Sequence, residues 1–395
     1  MPLNLGNKHL KRYICLMKKY LIVILLFFFT TFSCKKKDTT ISKEQSTIVS
    51  INAIQYATVF SIKNYTNYKI LSVKNPFQES SETFKYVLKE KNSLIPDSLK
   101  KYTQITVPIQ NIIVTSTTHI PALELLGEED KLIGFPSCNY ISSPKTRALI
   151  KQGEIKELNN NQALNVERIL ALQPDVLVAF GVNGLSKPLQ TVAKMHIPVL
   201  VNGDWMEETA LGKAEWIKFF GALFNKEKQA DSIFKKIVNS YNKAKLIAQK
   251  ASAKPSVLTG ALQGDKWVLS GGKSWVAQFL KDANSNYIWS NNKSKGSIKL
   301  SYETVLNKAV NADFWIAPGF YDSKTTLGEN KHYRQFEAFK QDKVFSFTTK
   351  KGETGGLLYF ELAPQRPDLV LQDLIHILHP ELLPDYQTHF FEKLN

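Results

Sequence analysis

Cysteine is nearly absent from this chain: 395 residues hold three, Cys15, Cys34 and Cys138. The first two fall in an N-terminal leader, so Cys138 stands alone. A lone cysteine excludes an intrachain disulfide and any metal cluster built on thiolates. Its expected role is that of a small, semi-buried side chain. Acid is scarce as well, with 35 Asp and Glu against 51 Lys and Arg and a formal charge of +16. Residues 1–33 carry five basic residues and no acid, which leaves +11 from Cys34 onward. Such a balance suits nucleic acid or an anionic membrane surface. The lysines are scattered and no nucleic-acid motif accompanies them, so the expectation is a solvated basic surface near anionic lipid, with no nucleic-acid partner. The chain also lacks a G-x-S-x-G elbow, a P-loop and a G-x-G-x-x-G after a strand, which argues against an enzyme. Its seven His are dispersed, which argues against a free metal-ion binder. His376 and His379 stand late in a helix without the Glu of a zinc-protease motif, and helix-cap or core roles suit them.

Long apolar runs are missing too. Leu21–Phe29 is an unbroken apolar run of nine residues, against the about 20 needed to span a bilayer. Lys18 and Lys19 precede it, and Thr31-Phe32-Ser33 leads from it to Cys34. A basic start, a short apolar core and small residues describe a secretory signal peptide over residues 1–33. Met17 serves as well as Met1 for its start. A Cys directly after the core resembles the lipoprotein signal, in which that Cys is diacylated and becomes the new N-terminus. Thr31 departs from the Leu that this signal prefers. Two or more acyl chains anchor stably where one does not. Residues 34–50 are then the lipid anchor and a polar, flexible tether.

The remaining length supports two lobes and an extension. Residues 51–107 hold β-forming stretches at 57–62, 68–73 and 84–88, read as a small antiparallel unit. From residue 108 the texture changes. Short apolar segments (Ile112–Val114, Leu132–Gly134, Asp175–Ala179, Val199–Val201) alternate with helical ones, the pattern of an α/β lobe over 108–225 with a mainly parallel sheet flanked by helices. Residues 226–250 read as one long amphipathic helix, with Ala230, Ile233, Phe234, Ile237, Tyr241 and Ala244 on one face. A second α/β lobe follows over 251–395, with strands at 256–258, 267–269, 314–316 and 344–347 and a helix at 274–283.

The two lobes echo each other. Val166-Glu167-Arg168-Ile169-Leu170 precedes Asp175-Val176-Leu177-Val178-Ala179-Phe180-Gly181, and Tyr302-Glu303-Thr304-Val305-Leu306 precedes Asp313-Phe314-Trp315-Ile316-Ala317-Pro318-Gly319. In each, a Glu opens a helix and an Asp begins a strand of form D-x-x-x-A-x-G. With Leu164–Asp175, Leu300–Leu306, Glu124–Gly127, Leu132–Gly134, Arg366–Leu374 and His379-Pro380-Glu381, the chain resembles the iron-complex and cobalamin class of periplasmic binding proteins, the substrate-binding subunits of ABC importers. The likeness covers roughly residues 110–385. It implies two α/β lobes joined by one helix, a ligand held between them, and Glu167 and Glu303 as contacts to Arg residues of a permease dimer in the inner membrane. Two carboxylates, one per lobe, give a two-point contact matched to a two-fold receptor. Taken singly, each Glu would merely favour its helix N-terminus. The resemblance further implies a periplasmic, membrane-anchored carrier with no intrinsic cofactor, whose ligand is an iron chelate, haem or a corrinoid. A surface-exposed scavenger feeding an outer-membrane receptor would use the same lobes, and a secreted α/β enzyme is the rival from another class.

In open α/β sheets, ligands bind beyond the carboxyl ends of the strands. The residues there are rich in aromatics: Tyr140, Phe180, Trp205, Trp267, Tyr321 and Tyr359. Aromatic side chains combine wide apolar area with a polar tip, which suits a bulky metal chelate. His119 and Tyr140 are candidates to reach a haem iron or the face of a corrinoid. Arg366 and Arg147 are candidates to pair with ligand carboxylates.

Overall fold

The computed structural model describes residues 48–51 and 54–395. The signal peptide, Cys34 and most of the tether lie outside these residues. No helix among the described residues is long and apolar enough to cross a membrane.

The extension forms a five-stranded sheet. Ile48–Ile51, Phe60–Tyr65, Tyr68–Lys74 and Thr83–Lys89 run antiparallel in succession, and Thr103–Thr106 adds in parallel to the last. Phe60 and Ile62 point into the core while Ser61 and Lys63 face solvent, the period-two pattern of a half-buried strand. The first expected strand begins later than its β-forming residues do. Glu215 and Glu207, both buried, explain the delay. Glu215 accepts the backbone N–H groups of Gln55, Tyr56 and Ala57 at 2.7–3.0 Å. Glu207 accepts those of Thr58 and Val59 at 2.8 and 3.0 Å, together with the Trp216 indole N–H at 3.1 Å. Backbone groups spent on carboxylates are not available to a ladder. The extension is thereby bolted to the lobe, and Val59, Phe60, Ile62, Leu71 and Val73 join one continuous core with it.

The first lobe is built on a parallel sheet in the order Val199–Val201, Val176–Ala179, Ile112–Val114, Leu132–Phe135, Lys156–Glu157. Ile112–Val114, Val176–Ala179 and the edge strand Val199–Val201 are buried at every position, as strands covered on both faces are. Glu227–Ala248, 22 residues long, joins the lobes, a span of about 33 Å. It buries Ala230, Phe234, Ile237, Tyr241, Ala244 and Ala248, while Ile233 is only partly covered.

The second lobe has a sheet in the order Asn286–Tyr287, Ser256–Thr259, Phe314–Ile316, Val344–Ser346, parallel throughout, closed by antiparallel Glu392–Lys393. Trp267 lies elsewhere than expected. Ala261–Gln263, Lys266–Ser270 and Ser297–Ser301 make a separate antiparallel sheet. Gly264, at φ +63°, opens the two-residue turn of its hairpin. At Gly260 a Cβ would lie 1.9 Å from the Val268 carbonyl oxygen, so only glycine lets the chain fold back so tightly. His376 and His379 bond to the Leu383 and Ala283 carbonyls at 2.8 and 3.0 Å, helix-end and core roles.

The echoed motifs perform equivalent tasks. Asn165 and Ser301 cap their helices, accepting from the N–H groups of Arg168 at 2.9 Å and Thr304 at 3.2 Å. Asp175 accepts the N–H groups of Gln110 and Asn111 at 2.7 and 2.9 Å, just ahead of the neighbouring strand Ile112–Val114. Asp313 accepts the N–H and hydroxyl of Ser256, both at 2.7 Å, at the first residue of the neighbouring strand Ser256–Thr259. Each Asp thus fastens its own strand to the one beside it.

Candidate functional site: an aromatic cleft between the lobes

The strand ends of the first lobe deliver small polar and aromatic residues to a common wall. Ser116, Thr117 and Thr118 follow Ile112–Val114, Tyr140 follows Leu132–Phe135, Phe180 follows Val176–Ala179, and Asp204 with Trp205 follows Val199–Val201. Facing them, the second lobe presents Trp275, Phe320, Tyr359 and Phe360. Two cavities lie between these walls, of 340 and 730 Å³, and both are lined by Ser116, Thr117, Phe180 and Phe360. A third, of 520 Å³, runs into the second lobe and shares Trp275, Phe320, Tyr359 and Phe360 with them. Phe320 is 72 % exposed and Tyr140 68 %, unusual exposure for large apolar side chains.

The rings brace one another. Tyr359 stacks on Phe347 with centroids 4.6 Å apart, and Phe360 stands 5.3 Å from Phe347 and 6.2 Å from Phe320. Across the cleft, Phe180 meets Trp205 edge-on at 6.3 Å. Burial pushes the Tyr359 phenol well above the ordinary tyrosine range, so it enters the wall uncharged. Two charges lie between Trp205 and Trp275. Asp204 accepts from the Thr118 hydroxyl at 3.0 Å. Lys213 donates to the Asp204 and Trp205 carbonyls, both at 3.1 Å, and its ammonium sits 5.6 Å from the Trp275 ring. Burial lowers the Lys213 pKa, and the Asp204 charge opposes that shift. The indole N–H of Trp205 is buried without a protein acceptor.

The lobes are also tied directly. Glu361 accepts the N–H groups of Ser142 and Ser143 at 2.6 and 2.9 Å, and Gln365 donates to the Ala214 carbonyl at 2.8 Å. Burial pushes the Glu361 carboxyl up to about 7, opposed by those two N–H groups and reinforced by nearby Glu124.

Of the residues singled out from the sequence, Tyr140, Phe180, Trp205 and Tyr359 meet in the two cavities between the lobes, and Tyr321 lines the third. Three do not reach the site. His119 is fully buried, 5.5 Å from the Phe220 ring, with neither ring nitrogen bonded; burial pushes it down to about 4, which keeps it neutral. Trp267 is a core residue, its indole donating to the Thr259 carbonyl at 3.0 Å among Trp315, Tyr333 and Phe336. Arg366 spends its fork on Asp368, two bonds of 2.9 Å at the start of a helix. Arg147 lines a separate 410 Å³ cavity and is paired with Glu353 at 3.1 Å. Sequence reasoning missed Trp275, Phe360 and Lys213. These three sit on helices, away from the strand ends; Phe320 lies four residues beyond the strand Phe314–Ile316. Glu167 and Glu303 are exposed in the first turns of their helices. The Glu303 backbone N–H and the Ser301 hydroxyl hold its carboxyl below the usual glutamate range. Among the described residues no three His, Cys, Asp or Glu come together to hold a metal ion.

An uncharacterized lipoprotein of Methanocaldococcus jannaschii is 28% identical to this chain over 328 residues, 79% of this chain and 76% of that protein. The fold is shared with a periplasmic heme binding protein of Pseudomonas aeruginosa, at 17% identity, with a TM-score of 0.54 over 73% of this chain and 98% of that one. It is shared also with the triscatecholate siderophore binding protein of Bacillus subtilis, solved with ferri-bacillibactin, at 18% identity, with a TM-score of 0.53 over 71% and 96% of the two chains. Residues 112–350 match the family model described as periplasmic binding protein, and the chain belongs to that family.

Proposed function

We propose that this chain is the substrate-binding lipoprotein of an ABC importer, which captures a metal chelate between its lobes and hands it to the permease. One observation carries the reading: aromatic side chains from both lobes, Phe180 and Trp205 on one side and Trp275, Tyr359 and Phe360 on the other, line a single cleft. Such walls suit a ligand with broad ring faces. In this reading the protein is anchored outside the cytoplasm through lipid on Cys34. Glu167 and Glu303 meet cationic side chains of a two-fold permease, where complementary charge sets orientation and encounter rate. The protein carries out no chemistry on its ligand and needs no cofactor.

The test is absorbance of the full chain, purified in detergent after growth with each candidate ligand. A haem Soret band, a corrinoid spectrum or a ferric-siderophore charge-transfer band that co-purifies at a fixed ratio is the expected result. Saturable turnover of a small substrate, with no chelate retained, would overturn the proposal.

A further inference from the structure

We infer that the cleft selects a chelate of little or no net charge, with a broad apolar ring face and a rim of neutral amide or hydroxyl groups. The inference rests on the chelate-binding reading above and narrows it to a ligand class.

The three cavities that share walls at the cleft are lined by two charged residues among those described, Asp204 and Lys213. The two have opposite sign and are already engaged. Asp204 takes the Thr118 hydroxyl, and Lys213 is held by two backbone carbonyls. Among the described residues, none that lines the 730 and 520 Å³ cavities is charged. A polyanion entering such a site would lose its water and meet one cation beside one carboxylate, a costly exchange for each uncompensated charge.

Cations are not scarce in this protein. The chain carries 51 Lys and Arg. The separate 410 Å³ cavity sets Arg147, Lys350 and Lys351 against Glu353 and Glu392. The low charge of the cleft is therefore a local property. In place of charge, the cleft offers neutral polar groups. Asn160, Asn161 and Gln162 line the 730 Å³ cavity, and Ser116 and Thr117 add hydroxyls. Asn161 is tethered to the Thr115 carbonyl at 3.0 Å, and the Gln162 residue is exposed. The buried Trp205 N–H, without a protein acceptor, would be satisfied by a ligand carbonyl. Rings for the face and carboxamides for the rim match an uncharged, amide-fringed macrocyclic chelate better than a polycarboxylate or tricatecholate one.

The experiment compares three probes by quenching of tryptophan fluorescence in the full chain: cyanocobalamin, which is uncharged and rimmed with carboxamides, haemin, which carries carboxylates, and a polyanionic ferric tricatecholate. Cyanocobalamin should bind about a hundredfold more tightly than the tricatecholate. Its affinity should be unchanged when salt is raised from about 0.05 to about 0.5 M, because there is little charge to screen. Gln162→Lys, which replaces a rim carboxamide with a cation in a cavity lined by no charged residue among those described, should weaken cyanocobalamin and strengthen the tricatecholate, narrowing the gap between them about tenfold or more. Tighter binding of haemin or the tricatecholate, or a strong salt dependence for the preferred probe, would overturn the neutral-ligand inference alone. Failure of all three to bind saturably would overturn the chelate-binding function itself.

Discussion

The two lobes repeat each other in some places and part company in others. Helix caps (Asn165 and Ser301), strand fasteners (Asp175 and Asp313) and exposed helix-opening glutamates (Glu167 and Glu303) recur in equivalent positions. The faces turned to the cleft do not recur. The first lobe brings hydroxyls and carboxamides with Tyr140, Phe180 and Trp205; the second brings a braced block of Trp275, Phe320, Tyr359 and Phe360. What repeats is what holds a lobe together or is proposed to meet a two-fold partner. What differs lines the cleft, which no symmetry requires to match on its two sides.

The sharpest way to break this comparison is at the repeated glutamates. Glu167→Ala with Glu303→Ala should abolish uptake in cells while leaving ligand affinity in solution intact; unchanged uptake would remove the docking role. Next in size is Trp267→Ala, which should cost about 3–5 kcal/mol of stability in denaturant unfolding, as a large core truncation does. Ligand affinity of the folded fraction should hold, which separates this core tryptophan from Trp205 and Trp275.

Two buried groups make opposite limbs in the pH profile. His119, held at about 4 in the first lobe, stays neutral while the unfolded chain protonates below about 6.5. Stability should therefore fall as pH drops from about 6.5 toward 4, by up to about 3 kcal/mol. Glu361, raised to about 7 in the second lobe, keeps its proton while the unfolded chain ionises above about 4.5. Its effect is a loss of stability as pH rises from about 4.5 to about 7, of similar size. His119→Leu should flatten the acid limb and Glu361→Gln the neutral one, read from melting temperatures between pH 4 and 8.

Smaller effects sharpen the symmetry. The single aromatic truncations Phe180→Ala, Trp205→Ala, Trp275→Ala and Phe360→Ala come first. Each should weaken ligand binding by about 1–2 kcal/mol in titrations, with the braced second-lobe pair at the larger end. Smallest, Asp175→Ala and Asp313→Ala should each cost about 0.5–1.5 kcal/mol, since each removes a pair of hydrogen bonds at the start of a strand whose exposed donors water can then take up. Nearly equal losses by thermal unfolding would bear out their equivalence.

Much of the fold was legible because its signals are local. Runs such as Ile112–Val114 and the spacing of Ala230, Phe234, Ile237 and Tyr241 follow from burial on two faces or on one. The echo was legible because both copies keep the same capping and fastening residues. The site was legible only where position alone places a residue, as with Phe180 directly after a strand. Trp267 and His119 misled because adjacency to a strand end does not say which way a side chain points. A hairpin turned at Gly264 sends Trp267 inward, and a short helical turn packs His119 against Phe220. Trp275, Phe360 and Lys213 arrive from helices; the Asp204 and Trp205 carbonyls hold Lys213 within the first lobe, and only the approach of the two lobes brings Trp275 and Phe360 to face it.

The attachment of the extension has a mechanical consequence. The chain passes from Gln55 to Ala57 through three amide groups gripped by the Glu215 carboxylate, beside Tyr56, whose ring meets Phe234 of the joining helix at 5.7 Å. A pull on the residues that precede them would be borne first by the pairing of Ile48–Ile51 with Phe60–Tyr65 and then by these bonds. The load would pass into the extension, the first lobe and the joining helix, whose Tyr241 donates in turn to Asp282 of the second lobe at 2.8 Å. Tension along a tether would then enter the body at the extension's sheet and the Glu215 bonds rather than at the walls of the cleft, so that a protein held by one end would take the strain first away from whatever lies between its lobes.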